Sequence, residues 1–257
     1  MFETTVEAVA ATSKSKVDYM KSCPRGYFIA SMVAGVFISL GSFVSMSAGG
    51  YCGPLMGPAA KLVSAIAFAS ALSLVIMAGC ELFTGNNMVV GLGALVKRTT
   101  WRDCFLLWAF CWLGNLAGSW LAIAMFHFGG ADTPELVAKS FASVAAVKCS
   151  YGVVALILRG ILCNMLVCLA VWCAARMKEE TAKLIMVVWC IFIFMVCGFE
   201  HSVANMSIVG VALINPAAAD VTLGGYCNNL FWVTIGNILG GLAFVAWPYV
   251  LMAQKKN

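Results

Sequence analysis

Gly79-Cys80-Glu81-Leu82-Phe83-Thr84-Gly85-Asn86-Asn87 and Gly198-Phe199-Glu200-His201-Ser202-Val203-Ala204-Asn205 each interrupt an apolar run, and both carry Gly, Glu and Asn at the same relative positions. The runs around them, 62–96 and 184–214, are too long to be plain membrane spans. As one helix, 62–96 would extend roughly 50 Å, against a hydrocarbon core of about 30 Å. Each run must therefore break. The glycine, carboxylate and amides mark where, because such groups persist at membrane depth only where they line protein or water.

Four further apolar runs, 27–48, 104–126, 151–175 and 229–251, complete a set of six spans. They repeat in order: Gly35 to Ser39 answers Gly160 to Asn164, and Gly114-Asn115-Leu116-Ala117-Gly118 answers Gly236-Asn237-Ile238-Leu239-Gly240. Three spans per half is an odd number, so the second half enters the membrane from the opposite face. The sequence therefore specifies an all-α integral membrane fold of two inverted three-helix repeats, with broken helices 2 and 5 and a site near the midplane. One transmembrane domain is expected over 1–257, with an N-terminal amphipathic helix over 1–24, a first repeat over 25–126 and a second over 148–251.

Composition agrees. Of 257 residues, 62% are hydrophobic, and charge is limited to 16 Lys+Arg and 11 Asp+Glu; mean hydropathy is +0.94. A soluble enzyme, a disordered chain and a nucleic-acid binder are all excluded by so little charge. With the N-terminus inside, Lys14, Lys16, Lys21, Arg25, Lys97, Arg98, Arg102, Arg176, Lys178, Lys183, Lys255 and Lys256 fall on the inner side, and only Lys61, Lys139 and Lys148 on the outer. That asymmetry places both termini in the cytoplasm. The N-terminal stretch is no signal peptide. Phe2, Val6, Val9, Ala10, Val17 and Met20 recur at near-helical spacing, which suits a helix lying on the membrane surface or plugging a vestibule.

The twelve cysteines show no CxxC pair and read as packing residues, not as metal ligands or disulfides. No cofactor motif, phosphate loop or nucleophile–base pair is present, so no catalysis is expected. His201, at the second break, is an ionisable group at membrane depth and marks a permeation path; the alternative is a histidine that merely fastens the broken helix. Thr84 offers a hydroxyl at the first break and Asn164 an amide from the fourth span. Lys148 either draws anions to the outer mouth or snorkels at the interface. Glu81 and Glu200 are structural, capping the following half-helix or pairing with a cation such as Arg159. Asn86, Asn205, Asn115 and Asn237 tie helices together. Phe68, Leu82 and Phe194 flank the breaks with apolar bulk, as constrictions or as ordinary core. His127 closes the third span at the interface.

The Glu-Leu-Phe-Thr-Gly-Asn and Gly-Phe-Glu-His-Ser-Val-Ala-Asn-Met strings, with the paired Gly-Asn motifs, resemble the formate/nitrite transporter family over nearly the whole chain. The resemblance implies an aquaporin-like fold, a homopentamer with one pore per protomer in the bacterial cytoplasmic membrane, and passage of small monovalent anions. It also implies that His201, Thr84, Asn164 and Lys148 serve the polar pore and its mouth, and that Leu82, Phe68 and Phe194 form two apolar slits. Length, the Glu-Leu-Phe-Thr-Gly-Asn-Asn string and the many cysteines are most similar to the family's hydrosulfide channel branch, with nitrite or formate as alternative solutes. A neutral-solute pore of the aquaporin type and a membrane-embedded redox protein are the rivals from other classes.

Overall fold

A computed structural model describes residues 2–217 and 219–253, and among these every regular element is helical. The long helices are α1 (Glu3–Ser22), α2 (Pro24–Met56), α3 (Ala60–Ala78), α4 (Phe83–Leu95), α5 (Trp101–Phe128), α6 (Glu135–Ser150), α7 (Val153–Arg176), α8 (Glu180–Cys197), α9 (Ser202–Ile214), α10 (Leu223–Gly241) and α11 (Trp247–Ala253). A 3-10 turn at Gly57–Ala59 joins α2 to α3, and a π-helical turn at Leu242–Ala246 joins α10 to α11. Local chemistry starts several of them: Pro24 opens α2 where its missing N–H costs nothing. The Thr100 hydroxyl oxygen accepts the Asp103 amide (3.1 Å) to cap α5, and Thr222 does the same for Gly225 (3.1 Å) on α10.

Both expected breaks are present. α3 stops at Gly79 (φ +77) and α8 at Gly198 (φ +69), each in the left-handed region that favours glycine. A few non-helical residues then lead to extended N-caps, Leu82 and His201, before α4 and α9 begin. Each linking segment is tied to a neighbouring helix by a backbone bond, Glu81 N–H to the Ala30 carbonyl (3.3 Å) and Glu200 N–H to the Arg159 carbonyl (3.2 Å).

Small residues set the helix spacing, as expected where lipid gives no hydrophobic drive for association. A Cβ on Gly118 would lie 1.9 Å from the Met32 carbonyl oxygen, which fixes α2 against α5. A Cβ on Gly236 or Gly240 would lie 2.4 Å from the Ile157 or Ile161 carbonyl oxygen, which fixes α7 against α10. The repeated Gly-Asn motifs thus each mark a close helix seam. Helices long and apolar enough to cross a membrane are the α2–α3 run, α5, α7, α8 and the run from α10 to Ala253.

The repeat is larger than the sequence suggests. The segment between the third and fourth apolar runs, assigned to no span by the sequence, contains α6. It packs on α9 as α1 packs on α4. Each half thus brings its own amphipathic helix, so that α1–α5 correspond to α6–α10. α1 does not simply rest on a surface: Val6, Val9, Ala10, Ser13 and Val17 are buried, and Thr12 and Lys16 line a cavity beneath it. Lys255 and Lys256, counted on the inner side, lie outside the described residues.

Candidate functional site

The two breaks, far apart in sequence, meet. Thr84 Oγ1 and His201 Nε2 are 3.0 Å apart, and Thr84 (0% exposed) and His201 (3%) are both buried. His201 is the N-cap of α9: its Nδ1 accepts the Ala204 amide at 3.0 Å. Nδ1 therefore carries no proton in this arrangement, so the neutral ring holds its proton on Nε2 and donates to Thr84. A second ring proton would require the Ala204 bond to break.

Around this contact each half builds the same clamp. Asn115 Oδ1 accepts the Phe83 amide (2.9 Å), and its Nδ2 donates to the carbonyls of Ser31 (2.7 Å) and Glu81 (2.9 Å). Asn237 Oδ1 accepts the Ser202 amide (2.9 Å), and its Nδ2 donates to Gly160 (2.8 Å) and Glu200 (3.0 Å). One side chain thus fills the first open donor of a half-helix and holds the linking segment before it. It also means that the Phe83, Ser202 and Ala204 amides are used internally. The half-helix N-termini contribute their dipoles but not these donors.

The two glutamates have the same surroundings twice over. Glu81 receives Lys16 (2.6 Å), Tyr27 (3.0 Å) and Asn86 (2.9 Å). Glu200 receives Lys148 (3.0 Å) and Asn205 Nδ2 (2.6 Å); Asn229 Oδ1 also accepts from Asn205 Nδ2 (2.7 Å), and Asn229 Nδ2 donates to the Lys148 carbonyl (2.9 Å). Both carboxylates are therefore neutralised and saturated, so the repulsion each would offer an anion is offset. Arg159 is not their partner. Its guanidinium donates to the Gly198 carbonyl (2.7 Å) and lies over the Tyr151 ring (4.1 Å), which fixes it away from the carboxylate.

Two cavities approach the central contact. On the α6 face a cavity of about 440 Å³ is lined by Lys61, Lys148, Phe194, Glu200 and His201, among others. On the α1 face one of about 180 Å³ is lined by Lys16, Leu72, Val75, Leu82, Asn86 and Val171, among others. They share no lining residue. Phe194 packs edge-on against Phe68 (centroids 5.8 Å) and stacks on the His201 ring (6.1 Å), and all three are nearly inaccessible. Leu82 (4% exposed) lines the α1-side cavity. Asn164, from α7, donates to the Thr84 carbonyl (3.1 Å), Asn87 Oδ1 (3.1 Å) and the Asn237 carbonyl (2.6 Å). It positions the threonine and joins the halves.

Sequence reasoning missed Lys16, Tyr27 and Asn229. Lys16 stands to Glu81 in space as Lys148 stands to Glu200, but the separations differ, 65 and 52 residues, so spacing alone does not reveal it. His127, in the last turn of α5, bonds the buried Asp132 at 2.8 Å. The cysteines are free thiols among the described residues. Cys111 and Cys168 donate weakly to the carbonyls of Glu81 (3.2 Å) and Thr84 (3.4 Å).

A buried polar contact between two broken helices of an inverted repeat, with apolar closures and a cavity on either side, defines a transmembrane pore for small solutes. Comparison with known proteins gives its family. The formate/nitrite transporter model matches residues 3–251, and the chain belongs to that family. The nitrite transporter NirC of Salmonella typhimurium is 35% identical over 257 residues, covering 100% of this chain and 94% of that protein. A solved FNT family ion channel superposes with a TM-score of 0.91 at 34% identity, covering 97% of this chain and 99% of the other. A pentameric formate channel with formate bound superposes with a TM-score of 0.80 at 25% identity, covering 91% and 99%. The aquaporin-like architecture follows from these matches and from the helices themselves.

Proposed function

We propose that each protomer of a homopentamer conducts small monovalent weak-acid anions through the Thr84–His201 contact, with hydrosulfide as the preferred solute. Nitrite, the solute in the name of the S. typhimurium relative, and formate are the alternatives. The observation that carries the reading is the buried 3.0 Å contact between the two breaks, flanked by Phe68 and Phe194 on one side and Leu82 on the other. The α1 face is cytoplasmic on the distribution of basic residues, with both termini on that side of a bacterial inner membrane.

Energetics decide how the solute crosses. Moving a bare ion into an apolar constriction costs several kcal/mol even after relaxation. Protonating a weak acid costs about 1.4 kcal/mol for each pH unit above its pKa. For acids whose pKa lies within a few units of ambient pH, the neutral route is the cheaper one. The anion gathers in the α6-side cavity beside Lys148, takes a proton from solvent there, passes Phe68 and Phe194 as the neutral acid, meets Nε2–H of His201 and the Thr84 hydroxyl, which replace water, and leaves past Leu82. His201 serves as a hydrogen-bond donor in this scheme and not as the proton source, since losing Nε2–H would leave an imidazolate with nothing to stabilise it.

Flux into proteoliposomes across a panel of hydrosulfide, nitrite, formate, chloride and glycerol tests this. Uptake of the three weak acids, with chloride and glycerol at the leak rate, is expected. Glycerol-driven swelling without weak-acid uptake would identify a neutral-solute pore instead.

A further inference from the structure

Two cations of the α6-side mouth take no part in the symmetric machinery. Lys61 Nζ and Arg159 Nη1 lie 3.8 and 3.6 Å from the point a Cβ on Gly198 would occupy, so the two charges are no farther apart than the sum of those distances. Lys61, Gly198 and Tyr151 line the 440 Å³ cavity, and the Arg159 guanidinium lies on the Tyr151 ring. Neither cation has an ion-pair partner among the described residues. The one carboxylate lining the cavity, Glu200, is already occupied by Lys148 and Asn205. Two like charges held this close raise each other's energy unless an anion lies between them.

The repeat supplies a control within the same molecule. Gly79 is the counterpart of Gly198 on the α1 face, and nothing lies within 4 Å of its corresponding point. The positions answering Lys61 and Arg159 at the repeat offsets are Glu180 and Ala34. Glu180 faces Lys183 at 3.6 Å. A charge cluster present on one face only is no part of the symmetric route, which needs the same path in both halves.

We propose that Lys61 and Arg159 form a binding site for a divalent oxyanion of the sulfate or phosphate class, seated over Gly198 in the α6-side mouth, and that this anion blocks the pore from that face alone. Arg159 offers a planar fork of donors, of which Nη1 already serves the Gly198 carbonyl, and Lys61 adds an ammonium; together they suit an anion with several oxygens. Double charge makes the solute too strongly hydrated for the Phe68–Phe194 closure, so it binds and does not pass. The blocking half of the proposal rests on the transport reading above; the binding half does not.

The two halves are tested separately. Sulfate is titrated calorimetrically into the detergent-purified full chain, with Lys61→Gln, Arg159→Gln, the double variant, and Lys139→Gln as a control on the same face that pairs with Glu135. Each single substitution is expected to weaken sulfate binding about tenfold, the double to abolish it, and Lys139→Gln to leave it unchanged. Because Lys61 is an exposed side chain, its variant folds even if Arg159→Gln does not. Absence of sulfate binding to the wild type at tens of millimolar, or equal binding by the double variant, overturns the site. In proteoliposomes, sulfate on the α6 side is expected to slow weak-acid uptake, whereas sulfate confined to the α1 side does not. Equal inhibition from both faces overturns the sidedness, and undiminished uptake with sulfate demonstrably bound overturns the block. A wild type with no weak-acid uptake at all refutes the transport reading, and with it the block, while calorimetry still decides the site.

Discussion

Replacing Asn115 with Leu removes the clamp on the first break while keeping nearly the same volume. The three groups it releases are unequal. The Phe83 amide has Asn115 Oδ1 as its acceptor. Left unmet in a buried setting, such a group costs about 1–3 kcal/mol. The Glu81 carbonyl keeps the Cys111 thiol at 3.2 Å, and the Ser31 carbonyl lies within helix α2. Each of these loses only a second partner, worth about 0.6 kcal/mol between helices in membranes. The total is about 2–4 kcal/mol. Asn237→Leu releases the Ser202 amide and the Gly160 and Glu200 carbonyls; no thiol among the described residues stands in for it at Glu200, so a loss at least as large is expected in the second half. Reversible unfolding of both variants in mixed micelles measures it. If both unfold within about 0.5 kcal/mol of the wild type, the polar clamps do not hold the breaks, and the explanation of the Gly-Asn repeats is wrong.

Other expectations follow from single contacts. Lys148→Met strands a 2%-exposed carboxylate and is expected to cost about 3–5 kcal/mol; adding Glu200→Gln should recover part of this in the same unfolding assay. Gly118→Val forces a side chain into the Met32 carbonyl, 1.9 Å from its Cβ position, and the yield of folded protein on size exclusion should collapse. Phe194→Ala removes the ring packed on both Phe68 and His201; chloride leak into proteoliposomes should rise, and an unchanged leak would remove Phe194 from the closure. Thr84→Val keeps the shape but deletes the hydroxyl facing Nε2, and weak-acid uptake should fall about tenfold or more while Tm moves little.

Much of the architecture was legible because the membrane makes polar residues conspicuous. Glu81, Glu200, His201 and the paired asparagines have no reason to stand inside apolar runs unless the backbone is interrupted there, and their spacing exposed the repeat. What stayed hidden depended on pairings across long separations. Lys16 reaches Glu81 from 65 residues away, and its helix reads as an ordinary amphipathic one. The helix over Glu135–Ser150 has buried Val137, Ala138, Phe141, Ala142 and Ala145 at helical spacing, yet its mean apolarity is too weak to stand out beside six spans. Arg159 was a candidate partner for glutamate by depth alone, whereas the structure gives its guanidinium to the Gly198 carbonyl. Depth locates a charge along the membrane normal but not around the helix axis, and that second coordinate selected Lys148 instead.

The central claim is that a weak acid crosses the buried Thr84–His201 contact as its neutral form. Nitrite and nitrate have similar planar shapes and the same charge, but only nitrite has a conjugate acid that water can form appreciably near neutral pH. Their initial uptake rates should therefore be compared in one preparation of proteoliposomes over a range of external pH. Nitrite uptake far above nitrate, rising about tenfold for each unit of acidification where protonation limits the rate, is the expected result. Equal uptake of the two anions, unaffected by pH, would show that the bare ion crosses and would contradict the account.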